Sequence, residues 1–510
     1  MPIRKIILVL LAGWLAGCAV NPVTGEHDLI LVSNEQELAM GAQNYVPMQQ
    51  SEGGQYDVDP GLAAYIQSVG RRLADASGVK LPYEFTILNN SVPNAWALPG
   101  GKIAVNRGLL TALDNEAELA AVLGHEITHA AARHTAQQQS RGMLLEGLVA
   151  ATGVVANDSS YADLLVGSAG TAAQLLTMKY GRGAELEADK YGMRFMSKAG
   201  YDPQGAVTLQ ETFVRLSEGD NQDWLSGLFA THPPSQERVE ANRKTAKTLP
   251  AGGILGADRY AASMKTTMAA RPAYDAYDAG RKALAEKHTD EALADADKAI
   301  RLFPREANFY ALRGDARFVD KHYDTAVKDY NDAISHRPDF FYYYQQRGLA
   351  KYKLGQTDAA ASDLKHGIDL LPTAPAYFTL GQIEEQRGNR PEAIANYKIV
   401  ARSGGEYGKA AAAALARLEL SEQPASYIAS ACGDDGSGRV AVQVRNDASV
   451  AVAGVQATFE YVDAGGVRRR NAQAFDAVIQ PGKIATARTG LALSPGSSCT
   501  VQVTAAHIAQ

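Results

Sequence analysis

The chain lacks any run of about twenty apolar residues, the length a helix needs to cross a bilayer, which excludes a protein built from several membrane spans. It has no basic excess. Fifty Lys and Arg stand against 56 Asp and Glu, for a net charge of -6 and a pI near 6.0, so there is no electrostatic footprint for nucleic acid. Cysteine is scarce: three in 510 residues, at positions 18, 432 and 499, and each is read on its own. What remains is a globular composition, 46% hydrophobic, in a chain long enough for about three domains.

The chemistry concentrates in Gly124-His125-Glu126-Ile127-Thr128-His129, inside an apolar-periodic segment from Asn115 to His134. Successive helical residues turn by about 100°, so His125 and His129 stand on one face at the spacing two imidazoles need to grip one metal ion. Glu126 lies beside that face, placed to take a proton from a metal-held water without binding the metal. The plain alternative is a solvated helix carrying two ordinary histidines. Residues downstream argue against it, because they supply the third protein ligand such a zinc site needs. His134 is the nearest candidate, but Ala130 to Arg133 are good helix formers with no glycine to break them, which would point His134 nearly opposite His125. Glu185, in Gly183-Ala-Glu-Leu-Glu-Ala-Asp-Lys-Tyr-Gly-Met193, is the better one. Glu185 and Asp189 are four apart and share a helix face, while Glu187 points away. Glu185 is therefore assigned as third ligand, and Asp189 as the carboxylate that orients a ligating imidazole.

These motifs, with Asn94-Ala-Trp-Ala-Leu-Pro-Gly-Gly-Lys-Ile103 before them and Thr231-His232-Pro233 and Arg238 after them, resemble the HtpX-like and CAAX-prenyl-protease-like family of zinc metallopeptidases. The resemblance covers roughly residues 20–245 and implies one zinc ion in a zincin-type, mainly helical domain with a small sheet. His232 precedes Pro233-Pro234 and so lies outside a helix. It reads either as a loop histidine without a role or as a site residue that steadies the oxyanion or occupies the open zinc position at rest; the family pattern favours the second, with Arg238 as partner for a carboxylate. Arg182 is a weaker site candidate, or a surface ion pair. A strand beside the metal would take an extended substrate along its edge, with Asn94, Ala95, Ala97 and Ile103 as substrate-binding residues. Periodicity alone allows equally a hairpin that serves only the core.

Residues 1–18 read as an export signal: Arg4-Lys5, an apolar run from Ile6 to Ala16, and Leu15-Ala16-Gly17-Cys18. They resemble a bacterial lipoprotein signal, which implies lipidation of Cys18 and, with Ala19 rather than Asp following, a lipid anchor on the periplasmic face of the outer membrane. The peptidase domain is expected over 19–245. Within it, the apolar segments Met143 to Ala156 and Leu164 to Met178 are too short to span a membrane and read as a mobile flap over the cleft. Residues 246–272, around Pro250-Ala-Gly-Gly253, read as a linker.

A repeat follows over 273–420. Gly280, Gly314, Gly348 and Gly381 recur at steps of 34, 34 and 33, Ala292, Ala326, Ala360 and Ala393 keep the same step, and Pro304, Pro338 and Pro372 close three units. This period resembles the tetratricopeptide repeat, whose stacked helix pairs form an α-solenoid with a concave binding surface. The Ala-rich helix from Gly408 to Leu420 would cap it. Residues 423–510 alternate in β-branched segments and read as a small β-sandwich, with Cys432 and Cys499 as a disulfide.

The expected fold is thus α+β: peptidase domain, solenoid, sandwich. The expected function is a zinc endopeptidase of the cell envelope. Its substrates would be unfolded or misassembled envelope proteins, with the repeats recruiting substrate or the outer-membrane assembly machinery, and no nucleic acid. The rival is a periplasmic adaptor or chaperone whose peptidase site is inactive or held closed.

Overall fold

The computed structural model describes residues 18–150, 179–219 and 226–509, with nothing taken from the side chains of 144–150. The export signal ahead of Cys18 lies outside the described residues, as do the flap segments beyond Ala150. Internal contacts divide the chain into two units, with the boundary between Leu371 and Pro372.

The first unit opens with β1 (Cys18–Val20) paired antiparallel to β2 (His27–Leu29). Helix α1 (Asn34–Ser51) starts at a capping box, in which Ser33 and Gln36 each satisfy the other's backbone N–H. Asp59 caps α2 (Pro60–Ser77), which stops at Gly78 in the left-handed conformation. Strands β3 (Glu84–Leu88), β4 (Ala95–Leu98) and β5 (Lys102–Asn106) form one sheet in the order β3-β5-β4. β5 is central, parallel to β3 and antiparallel to β4. Alternation sends Ala95, Ala97, Ile103 and Val105 into the main core, and Trp96, Leu98 and Ala104 against Met48 of α1.

The short α3 (Arg107–Leu110) leads to α4 (Glu116–Ala131), whose sixteen residues are all buried. Asn115 caps it by accepting from the Glu118 N–H at 3.0 Å. Around this central helix stand α5 (His134–Ala150), α6 (Arg182–Lys198), α7 (Gln204–Ser217), the short α8 (Leu228–Thr231) and α9 (Gln236–Ala246). Among the described residues, no helix is long and apolar enough to cross a membrane.

The expected linker is largely helix. α10 (Ala257–Ala285) runs 29 residues and carries the chain from the N-terminal core into the first repeat. Tyr260, Met264, Thr267, Ala270 and Tyr274 are buried at helical spacing, so packing keeps helical a stretch whose composition suggests a loop. The C-terminal half of α10 pairs with α11 (Thr289–Leu302), α12 (Ala307–Val319) with α13 (Tyr323–His336), and α14 (Phe341–Lys353) with α15 (Thr357–Leu370). The repeated glycines mark where paired helices touch. A Cβ on Gly314 would stand 2.7 Å from the Tyr330 ring, and one on Gly348 2.9 Å from Leu364. The repeated alanines Ala292, Ala326 and Ala360 are fully buried.

The N-terminal core grips these repeats through polar contacts. Glu306 accepts from Asn89 Nδ2 at 2.9 Å, Arg337 donates to the carbonyls of Gly53 and Gln55 at 3.0 and 2.9 Å, and Gln50 donates to Asp339 O at 2.7 Å.

The second unit contains the helix pair α16 (Ala374–Gln386) and α17 (Arg390–Val400), then α18 (Gly405–Glu419) and the β-sandwich. The sandwich strands are β6 (Ile428–Asp434), β7 (Arg439–Asn446), β8 (Val452–Val462), β9 (Arg468–Phe475), β10 (Ile484–Ala492) and β11 (Thr500–Ile508). They make two three-stranded sheets, β10-β7-β6 and β11-β8-β9, over one core that also takes Ala416 and Leu420. A disulfide joins Cys432 on β6 to Cys499 just before β11, with Cα atoms 5.6 Å apart.

Candidate active site

The site forms where α4 and α6 cross, and the crossing is close because both helices carry glycine there. A Cβ on Gly192 would meet the Gly124 carbonyl carbon and the His125 nitrogen at 2.9 Å. That approach brings Glu185 of α6 to the two histidines of α4. His125 Nε2 and His129 Nε2 stand 3.0 Å apart, with a Glu185 oxygen 3.5 Å from the first and the other 3.4 Å from the second. His232, just past α8, places Nδ1 2.9 Å from Glu185 and 3.3 Å from His125 Nε2. One donor atom from each of these four buried residues lies within 4.8 Å of the others.

Their surroundings fix the tautomers. His125 Nδ1 is 2.9 Å from Asp189 Oδ1, so it donates there and leaves Nε2 with a lone pair facing the cluster. His129 Nδ1 is 2.8 Å from His134 Nδ1, and His134 Nε2 is 3.3 Å from Glu187. A donor chain from His129 through His134 to Glu187 therefore also leaves the His129 Nε2 lone pair facing inward. Two lone pairs and a carboxylate pointed at one space at these distances need a cation between them. Two imidazoles and one carboxylate with an open side are the donor set of a catalytic zinc.

Electrostatics follow the same division. Burial keeps the His129 imidazole well below its ordinary pKa and thus neutral, the form a metal requires. Burial works against a charge on Glu185, but His232 and His125 outweigh it and hold the carboxyl well below the usual range. For Asp189, Arg238 overcomes the same penalty, donating to both carboxylate oxygens at 2.7 Å while standing 2.9 Å from Glu185 Oε2. Glu126 differs: burial dominates and raises its carboxyl, despite His232 and His125. Its Oε2 is buried with no hydrogen-bond partner among the described residues. Burial alone would depress His232, and the neighbouring Glu185 and Glu126 raise it instead.

The structure thus brings together His125, Glu126, His129, Glu185, Asp189, His232 and Arg238. It places other expected residues differently. α4 does not continue through Arg133, which adopts φ 62°, so His134 begins a new helix and backs His129 instead of pointing away from the site. Glu187 faces His134 and Asn21. Ala95, Ala97 and Ile103 have core-facing side chains, and Ile103 lies on the central strand with both edges paired, so none of the three lines the cleft by its side chain. What β4 offers is backbone, since among the described residues its outer edge pairs with no strand. Asn94 is buried just before it and uses its side-chain oxygen on the Ala95 N–H. Arg182 makes an exposed ion pair with Glu237. Tyr180 carried no motif, yet its ring stacks on His129 at 3.9 Å and its hydroxyl meets Thr135 Oγ1 at 2.9 Å.

A buried helix presenting His-Glu-x-x-His, completed by a carboxylate from a second helix, defines a metallopeptidase domain. Residues 60–246 match the model of Peptidase family M48. The chain is similar to the beta-barrel assembly-enhancing protease of Yersinia pestis, 31% identical over 46% of this chain and 49% of that one. It is 29% identical to the Escherichia coli K12 protein of the same name, over 50% of this chain and 52% of that one. With the mitochondrial metalloendopeptidase OMA1 of Schizosaccharomyces pombe it shares 35% identity over 36% of this chain and 52% of that one. The chain thus spans about half the length of these curated relatives. Among solved structures, a thermophilic TPR protein of Thermus thermophilus matches at 18% identity and a TM-score of 0.27, over 40% of this chain and 98% of that one.

Proposed function

We propose that the chain is a zinc-dependent endopeptidase of the cell envelope. The observation that carries this reading is the convergence of His125, His129 and Glu185 with His232, one donor atom each within 4.8 Å. A zinc ion held by the first three would acidify a water toward neutral pH and polarise the scissile carbonyl. Glu126 supplies the proton traffic: its raised basicity and unpartnered Oε2 suit it to take a proton and return it to the leaving amine. His232, with Nε2 3.8 Å from Glu126, is the donor for the oxygen that gains charge, once it leaves its resting contact with Glu185. Asp189 and Arg238 position His125 and Glu185. The open edge of β4 from Asn94 onward aligns the peptide in extended form.

The repeats over 273–420 then recruit substrate or an assembly partner, and Cys18 carries the lipid that holds the protein at the periplasmic face of the outer membrane. The names of the bacterial relatives suggest outer-membrane β-barrel proteins as the clients, unfolded or misassembled. Glu126→Gln should retain zinc and lose cleavage of casein, and retained turnover refutes the mechanism.

One observation favours a second reading. His232 contacts Glu185 at 2.9 Å, an arrangement that holds the site shut, so the chain would act as a periplasmic adaptor or chaperone through its repeats. Client capture by Glu126→Gln at the wild-type level, with no cleavage by wild type, would support it.

A further inference from the structure

The segment between Cys18 and α1 carries a buried polar side chain that the mechanism does not use. Asn21 is 1% exposed, and its polar groups are all engaged. Its side-chain oxygen accepts from the Val23 and Thr24 N–H groups at 2.9 and 3.2 Å, and its backbone closes the same turn through Glu26 O at 2.7 Å and Gly25 N at 2.9 Å. The two hydrogens of its NH2 go to two carboxylates, Asp28 at 2.9 Å and Glu187 at 3.2 Å. A flipped amide would set its oxygen against both carboxylates and its hydrogens against two N–H donors, so the chemistry allows one orientation. Asp28 also accepts from Gln137 of α5 at 2.8 Å, while Glu187 belongs to α6. The turn therefore bridges both helices behind the metal-ligand cluster.

The role of Glu187 there follows from the direction of the hydrogen bonds. His134 Nε2 is 3.3 Å from Glu187 Oε1, the same oxygen that Asn21 reaches, and His134 Nδ1 is 2.8 Å from His129 Nδ1. With an acceptor at its far end the chain runs one way: His129 donates to His134, His134 donates to Glu187, and the His129 Nε2 lone pair faces the cluster. Without that acceptor the chain can reverse, and the His129 proton then sits on Nε2, where a metal must bind. We propose that Asn21 is a positioning residue of the metal centre: it holds the Glu187 carboxylate against His134 and so fixes the ligating tautomer of His129. Asn21 lies three residues after Cys18, to which the proposed function assigns the lipid, and β1 between them is paired to β2. The stretch that follows the anchor is thus a part of the site and not a tether. The inference rests on the zinc reading above and adds to that site a residue ahead of the matched segment, residues 60–246.

The test reads the zinc affinity of the full chain by competition with a chromophoric chelator. Glu187→Ala should lower it about 10–100-fold, the usual effect of removing a group that orients a ligating imidazole, and Asn21→Ala about tenfold. Because Asn21 acts through Glu187, the double variant should bind zinc no more weakly than Glu187→Ala alone. Gly25→Ala separates this role from a structural one. It strains the same turn at φ 77° without touching the Asn21 side chain, so it should lower the metal-free Tm and leave zinc affinity unchanged. Zinc affinity unchanged in Asn21→Ala, losses that add in the double variant, or an equal loss in Gly25→Ala overturn the assignment. Wild type that binds no zinc removes the endopeptidase reading and this inference together, whereas wild-type binding that is indifferent to Asn21 removes this inference alone.

Discussion

Gly192→Ala tests the claim that the close crossing of α4 and α6 builds the metal site. The added methyl carbon would stand 2.9 Å from Gly124 C and His125 N, where ordinary contact begins at 3.4 Å. Both obstacles are backbone, so no side chain can swing aside, and the helices must separate by roughly 0.5 Å or more. Overpacking of this kind costs about 1–3 kcal/mol, offset by about 0.5–1 kcal/mol for replacing a helical glycine. The net loss of about 1–2 kcal/mol should lower the metal-free Tm by about 2–8 °C for a domain of this size. The larger effect falls on the site, because α6 carries both Glu185 and Asp189 and draws them from the histidines together. Zinc affinity, read by competition with a chromophoric chelator, should fall about 10–100-fold. Gly183→Ala on the same helix is the control: a Cβ there meets nothing within 4 Å, so affinity should hold and stability stay level or rise. If Gly192→Ala keeps wild-type affinity and melts like Gly183→Ala, the crossing does not set the site.

In the repeats, burial pushes the Asp315 carboxyl up to about 7, between the hydroxyls of Tyr330 at 2.8 Å and Tyr342 at 3.0 Å. The folded chain then keeps a proton that the unfolded chain loses near pH 4. The resulting stability is complete below about pH 4 and disappears as the pH climbs through 7. Asp315→Asn keeps an acceptor without titrating. It should flatten the fall in Tm between pH 4 and 7 and gain up to about 4 kcal/mol at pH 8, whereas an unchanged pH slope refutes the assignment. The Cys432–Cys499 disulfide closes a separation of 67 residues, so replacing both cysteines by alanine should cost the sandwich up to about 4 kcal/mol in calorimetry. A change of only a few tenths would mean that residual structure already confines the unfolded chain without the bridge.

The convergence of His125, His129 and Glu185, with Glu126 beside them, was legible because each lies on a helix and the 3.6-residue period places its side chain before any fold is known. The repeats were legible because a helix pair can approach only at small residues: Gly280, Gly314 and Gly348 each face a side chain that leaves no room for a methyl group. α10 was obscured by composition. Pro250, Gly252 and Pro272 suggest a loop, although the spacing of Tyr260, Met264, Thr267, Ala270 and Tyr274 was already that of an amphipathic helix. Ile103 was misplaced because a strand's period gives alternation but not which strand lies at the edge, and that is settled by β3 pairing with β5.

The end of α4 shows why the rest escaped local reasoning. Propensity carries Ala130-Ala-Ala-Arg133 onward as helix, and a non-glycine residue at φ 62° costs on the order of 1 kcal/mol. The compensation comes from far away in the chain. Arg133 pairs with Glu37, 96 residues earlier, and donates to Val32 O at 3.2 Å. The turn also swings His134 back to His129, whose Nδ1 is buried and would otherwise face no partner. A helix that ran on would leave that nitrogen unpaired and the ligating tautomer unfixed, so α4 ends where the site requires it to end. No window short enough to read as helix contains both Glu37 and Arg133. The signal that stops this helix is therefore tertiary, and His134 becomes intelligible only beside the residue it supports.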